Sequence, residues 1–116
     1  MTVEVVVPDS KTPFNTTLPK GTTSFVVVFK GNKTTGYDWE LVPQQPLPNG
    51  FKLVNQIYKP DPVQNPPVMG AGGTYRFTFT TSTAPVGKTV EFLFQNKRSW
   101  ETHPVKKAKV VVSWSA

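Results

Sequence analysis

Apolar side chains recur at every second position along most of this chain, and that period belongs to strands. Val3, Val5 and Val7 share one parity. So do Phe25, Val27 and Phe29, then Tyr37, Trp39 and Leu41, then Tyr75, Phe77 and Phe79. Val90, Phe92 and Phe94 follow, and Ala108, Val110, Val112 and Trp114 close the series. Successive side chains of a strand point to opposite faces, so each run offers one face to a core and one to solvent. Asp38, Glu40, Arg76, Glu91, Gln95, Lys107 and Lys109 occupy the alternate positions. No useful window repeats at the helical period of 3.6. The 12 prolines and 8 glycines penalise helix further and favour turns.

Seven strands are predicted: Val3–Val7, Ser24–Lys30, Tyr37–Val42, Phe51–Tyr58, Thr74–Thr81, Thr89–Asn96 and Val105–Trp114. Pro13, Phe14 and Leu18 read as part of a further edge strand, for a total of seven to eight. With 116 residues, one domain spanning 1–116 is expected. Many short strands with one buried face each predict an all-β, immunoglobulin-like antiparallel β-sandwich of Greek-key type, favoured over a barrel at this length. Trp39 falls where such sandwiches bury a central Trp, whereas Trp100 sits in a polar loop.

In a Greek-key sandwich alternate connections share an end. Three segments then come together: Asn32-Lys33-Thr34-Thr35-Gly36, Gly70-Ala71-Gly72-Gly73 and Arg98-Ser99-Trp100. The first is either a plain tight turn or a stiff protruding tip, since Thr34 and Thr35 are β-branched. The second ends a long connection from Lys59 to Gly73 that holds Pro60, Pro62, Pro66 and Pro67. Loops this long in compact domains are usually functional or disordered. It is not a phosphate loop, because a strand follows where a helix should open. A main-chain-rich strip laid along a partner's groove is the functional alternative. The third segment carries Arg and Trp, the residue types enriched at interface hot spots, though Trp100 could instead fold back as a cap.

Chemistry has little to work with. There is no Cys, His103 is the only histidine, and no carboxylate pair recurs at a metal-ligand spacing, so neither a metal cluster nor a Cys–His pair is expected. No nucleophile elbow is present. No catalytic residue, metal site or cofactor is expected. The net charge of +6 comes from dispersed Lys and Arg. Even Lys106, Lys107 and Lys109 lie on an alternating strand, as a solvated face would, so a nucleic-acid partner is not favoured. No stretch approaches the length of a membrane helix. The start lacks the basic and apolar regions of a signal peptide. A cytoplasmic or vesicular, lysosome-like location is expected, with a removed leader left open.

Together the three segments resemble those of the chagasin family, inhibitors of papain-like cysteine peptidases. The family pattern is Asn-Pro-Thr-Thr-Gly plus an aromatic, Gly-X-Gly-Gly, and Arg-Pro-Trp. Here it reads Asn32-Lys33-Thr34-Thr35-Gly36-Tyr37, Gly70-Ala71-Gly72-Gly73 and Arg98-Ser99-Trp100, in the same order across nearly the whole chain. Lys33 and Ser99 replace prolines, so each loop loses a fixed φ and some pre-organisation. The resemblance implies a reversible, non-covalent inhibitor, monomeric, whose Thr34 and Thr35 wedge into the peptidase cleft. The glycine segment would lie along one arm of the cleft, and Arg98 and Trp100 would press on the other. A generic immunoglobulin-like adhesion or binding module using the same loops is the competing reading.

Overall fold

The alternating runs become two four-stranded sheets packed face to face. The structure is a computed structural model and describes residues 3–7, 13–31, 37–42, 47, 50–60, 72–82, 87–98, 100, 103–104 and 106–115. Its strands are β1 (Val3–Val7), β2 (Phe14–Leu18), β3 (Ser24–Gly31), β4 (Tyr37–Leu41), β5 (Phe51–Pro60), β6 (Gly73–Thr81), β7 (Thr89–Arg98) and β8 (Lys106–Trp114). One sheet has the order β1-β3-β6-β5 and the other β2-β8-β7-β4. The described residues include no helix. This is the immunoglobulin-like β-sandwich that the alternation predicts.

Two pairings differ from a purely antiparallel sandwich. β1 runs parallel to β3, and β2 runs parallel to β8, while the remaining ladders are antiparallel. The cause is that β1 and β2 enter different sheets. Neither forms a hairpin with its neighbour in sequence, and each adds to an outer edge beside a strand running its own way. Alternation reports which face is buried and carries no information on direction. The extra strand β2 precedes β3, so the order of the three later connections is undisturbed.

The core lies where the inner parities meet. Phe25, Phe77, Phe79, Phe92 and Phe94 are fully buried, and Leu18, Val27, Val110 and Val112 fill between them. Each such side chain contributes roughly 1.5–3 kcal/mol by leaving water. The rings meet in tilted and edge-on pairs, such as Phe79–Phe92 at 4.7 Å and Phe77–Phe94 at 5.0 Å, the geometry that aromatic quadrupoles favour. Trp39 and Trp114 are both buried. Trp114 Nε1 donates to the Thr22 carbonyl at 2.8 Å. That carbonyl belongs to a turn in which the Thr22 amide and hydroxyl both donate to Pro19 O, with Gly21 at φ +81°. A side chain at position 21 would be strained there.

Two features explain irregular stretches of the sequence. β3 is apolar on both parities, and Val26 (7% exposed) and Val28 (3%) are buried although they face outward. By the register, Arg76 lies opposite Val28 and Glu4 opposite Val26. Arg76 Nη2 donates to Glu4 Oε1, bridging the strands on either side of β3 on the face that carries the two valines. β5 breaks parity because its register shifts between Leu53 and Asn55, which leaves Val54 exposed. A bulge on an edge strand also discourages pairing with another chain.

Candidate functional site

Register fixes which strand ends meet. Gly31, closing β3, lies opposite Gly73, opening β6, and Gly73 on its other side lies opposite Pro60, closing β5. In the second sheet Tyr37, opening β4, lies opposite Arg98, closing β7, and Asn96 lies opposite Lys106, opening β8. The sheets are tied together at this same end. Phe29 of β3 stacks on Trp39 of β4 with centroids 4.5 Å apart and planes at 17°. The β3–β4, β5–β6 and β7–β8 connections therefore all leave and re-enter the sandwich at one end.

Beneath them lies a polar tie between the two sheets. The Tyr75 hydroxyl donates to Asp38 Oδ1 at 2.6 Å and lies 3.1 Å from the Tyr37 carbonyl oxygen, a second acceptor. Burial pushes the Tyr75 phenol well above the ordinary tyrosine range. The hydrogen bond to Asp38, the Asp38 charge and nearby Tyr58 add to that. Tyr75 packs on Tyr58 at 4.7 Å. Both rings lie against glycines. A Cβ on Gly31 would come within 2.6 Å of the Tyr75 ring, and one on Gly73 within 2.6 Å of both Tyr58 Oη and the Lys59 carbonyl oxygen. These two glycines are required for close approach.

The second sheet carries the exposed side chain. Trp100 is 70% exposed, the most exposed of the large apolar side chains among the described residues. The Arg98 guanidinium carbon lies 4.3 Å from the Tyr37 ring centroid and 5.7 Å from that of Trp100. Both fall within cation–π range. Asn96 marks where the core gives out: it follows Phe92 and Phe94 on the inner parity of β7 and is buried. At this end the described residues include Lys30, Lys59, Lys97, Arg98 and Lys106 against the carboxylate of Asp38.

Of the residues singled out in the sequence, Asn32, Lys33, Thr34, Thr35, Gly36, Gly70, Ala71 and Ser99 lie outside the described residues. Tyr37, Gly72, Gly73, Arg98 and Trp100 are described. Gly73 is a buried strand residue rather than part of a free loop, because the ladder extends to Pro60. Arg98 is likewise the last residue of β7. Sequence reasoning placed Tyr75 in the core and missed its polar reach. The available signal was a tyrosine opening a phenylalanine series beside the glycine segment.

Fold and geometry define a class: an immunoglobulin-like domain that gathers three connections at one end, as loop-presenting binding domains do. The family model described as Chagasin family peptidase inhibitor I42 matches residues 18–113. The chain belongs to the chagasin family of peptidase inhibitors, and so is an inhibitor and not an enzyme. Among solved structures it is similar to the cysteine protease inhibitor EhICP2 from Entamoeba histolytica, with 16% identity, a TM-score of 0.68, and coverage of 97% of this chain and 96% of that one. It is also similar to the solution structure of amebosin, with 20% identity, a TM-score of 0.63, and 99% of each chain covered. Similarity at these identities is a likeness of fold. A search of curated proteins finds no match.

Proposed function

We propose that this protein is a reversible, non-covalent inhibitor of papain-like cysteine peptidases that blocks the active-site cleft with three loops. The observation that carries this reading is the convergence of the strand ends bounding residues 32–36, 61–72 and 99–105 on one end of the sandwich. Family membership supplies peptidase inhibition. The cysteine class is supported by a structural neighbour described as a cysteine protease inhibitor. The segment from Asn32 to Gly36 acts as the wedge, with Thr34 and Thr35 nearest the catalytic Cys–His pair. The strip that ends at Gly72 lies along one arm of the cleft, and Trp100, with Arg98 beside it, presses on the other. A short segment whose flanking residues, Gly31 and Tyr37, are both held in strands resists the extended form that peptide attack requires, so the loop survives as an inhibitor. The cationic strand ends favour peptidases with acidic cleft rims by speeding encounter.

The test is a titration of a papain-like peptidase with the purified protein, followed with a fluorogenic peptide, alongside a serine peptidase. Tight inhibition of the cysteine peptidase alone, reversed on dilution, is the expected result. A folded protein inert against several papain-like enzymes would leave only a general binding module.

A further inference from the structure

We propose that Tyr37 and Arg98 are positioning residues: they hold Trp100 in its binding orientation instead of pressing on the peptidase themselves. The proposal rests on the reading of Trp100 as a peptidase contact. Tyr37 and Arg98 face each other across the β4–β7 ladder, so their side chains start on the same face about 5 Å apart. The Arg98 guanidinium lies over the Tyr37 ring at 4.3 Å and reaches the Trp100 ring at 5.7 Å. One planar cation thus bridges a strand residue and an exposed loop residue.

Trp100 needs such a brace. At 70% exposure it takes little order from the core. Freezing an otherwise mobile side chain on binding costs about two- to tenfold in affinity. The residue before it in the sequence is a serine, a residue type that does not lock φ. Tyr37 is itself fixed from below. Its carbonyl oxygen lies 3.1 Å from the hydroxyl of Tyr75, which donates to the carboxylate of Asp38 and is buried in the opposite sheet. The brace runs from buried Tyr75, through the start of β4, to Arg98 and out to Trp100.

The experiment is a double-mutant cycle with a spectroscopic arm. Tyr37→Leu keeps apolar bulk and removes the ring face, and it should weaken inhibition about three- to tenfold, as loss of one cation–π contact would. Tyr37→Phe, which keeps the ring, should restore wild-type inhibition. In a Trp100→Ala background Tyr37→Leu should have no further effect. In the free protein, ring currents should displace the Arg98 Nε–H signal of wild type, and Tyr37→Leu should return it toward the value of a solvated arginine. Arg98→Lys, which keeps charge and loses the planar face, gives the same cycle should Tyr37→Leu fail to fold. Equal losses in both backgrounds would show that Tyr37 contacts the peptidase directly and would overturn the proposal. So would an Arg98 signal indifferent to the ring. If the wild-type protein inhibits no papain-like enzyme, the functional reading fails, while the spectra of the free protein still decide whether the stack orders Trp100.

Discussion

The Tyr75 hydroxyl and the Asp38 carboxylate, one on each sheet, meet at 2.6 Å at the end of the sandwich that carries the three connections. Most of the contact between the sheets is apolar and tolerates small slides. A hydrogen bond to a carboxylate does not, because it weakens steeply with distance and angle. Tyr75→Phe removes it without changing ring volume. The variant should lose about 1.5–3 kcal/mol of stability, the usual worth of a hydrogen bond to a charged group. Urea unfolding midpoints, with the slope unchanged, are the check. A midpoint equal to wild type would mean that the tie holds nothing.

The same phenol makes stability depend on alkaline pH. Its folded-state pKa is raised, chiefly by burial and then by Asp38. Below the unfolded value, about 10, both states hold the proton and the contribution is fully present. As pH rises past that point the unfolded chain loses the proton while the folded chain keeps it. The unfolded state then binds fewer protons, and stability falls with pH toward the raised folded value. Melting temperatures between about pH 9 and 12 should therefore drop more steeply for wild type than for Tyr75→Phe. Parallel curves would assign the drop to other groups.

Gly73 and Gly31 lie opposite each other, yet alanine should be tolerated unequally. At Gly31 the added carbon meets the edge of the Tyr75 ring, a side chain and not backbone. At Gly73 it meets Tyr58 Oη and also the Lys59 carbonyl oxygen, which the β5–β6 ladder holds in place. Gly73→Ala should cost about 1–3 kcal/mol, as overpacking does, and Gly31→Ala less. Chemical denaturation of the two variants side by side decides it. The reverse order would show that edge strand β5 yields more easily than the ring.

Much of this architecture is legible in the chain because a two-residue period states which face is buried. The inner sets from Val3 to Trp114 are found that way, as is the burial of Trp39. The period is silent on partners and direction. It could not place β1 beside β3 in parallel or bring Arg76 across β3 to Glu4. The bulge in β5 scrambles parity between Leu53 and Asn55, which is why that strand reads as irregular. At the candidate site the sequence supplies the turn-forming segments and the polar setting of Trp100. The Tyr37–Arg98–Trp100 stack depends on a cross-strand register, a property of the folded sheet that no local spacing encodes.

Thr34 and Thr35 offer the sharpest test of the wedge. In a dry cleft a β-branched hydroxyl is accommodated, whereas an unpaired carboxylate is not. Thr34→Asp with Thr35→Asp should reduce inhibition by at least about a hundredfold in a protein whose thermal unfolding shows it still folded. Inhibition constants measured at fixed salt give the answer. Unchanged inhibition would remove residues 32–36 from the cleft.

Trp100→Ala separates binding from folding most cleanly. The side chain is 70% exposed, so its removal uncovers little core and should leave the unfolding midpoint unchanged. If it packs on one arm of a peptidase cleft, truncation should weaken inhibition by about 1–3 kcal/mol, roughly five- to 150-fold, as hot-spot tryptophans do. Most of that loss should appear as faster dissociation, because a mutation at the contact acts after encounter, while the cationic strand ends that steer encounter are untouched. Stopped-flow association and jump-dilution dissociation with one papain-like enzyme resolve the two rates. A folded variant with wild-type dissociation would make Trp100 a bystander at the edge of the site. A variant that also unfolds early would return it to the structural role of capping the sandwich.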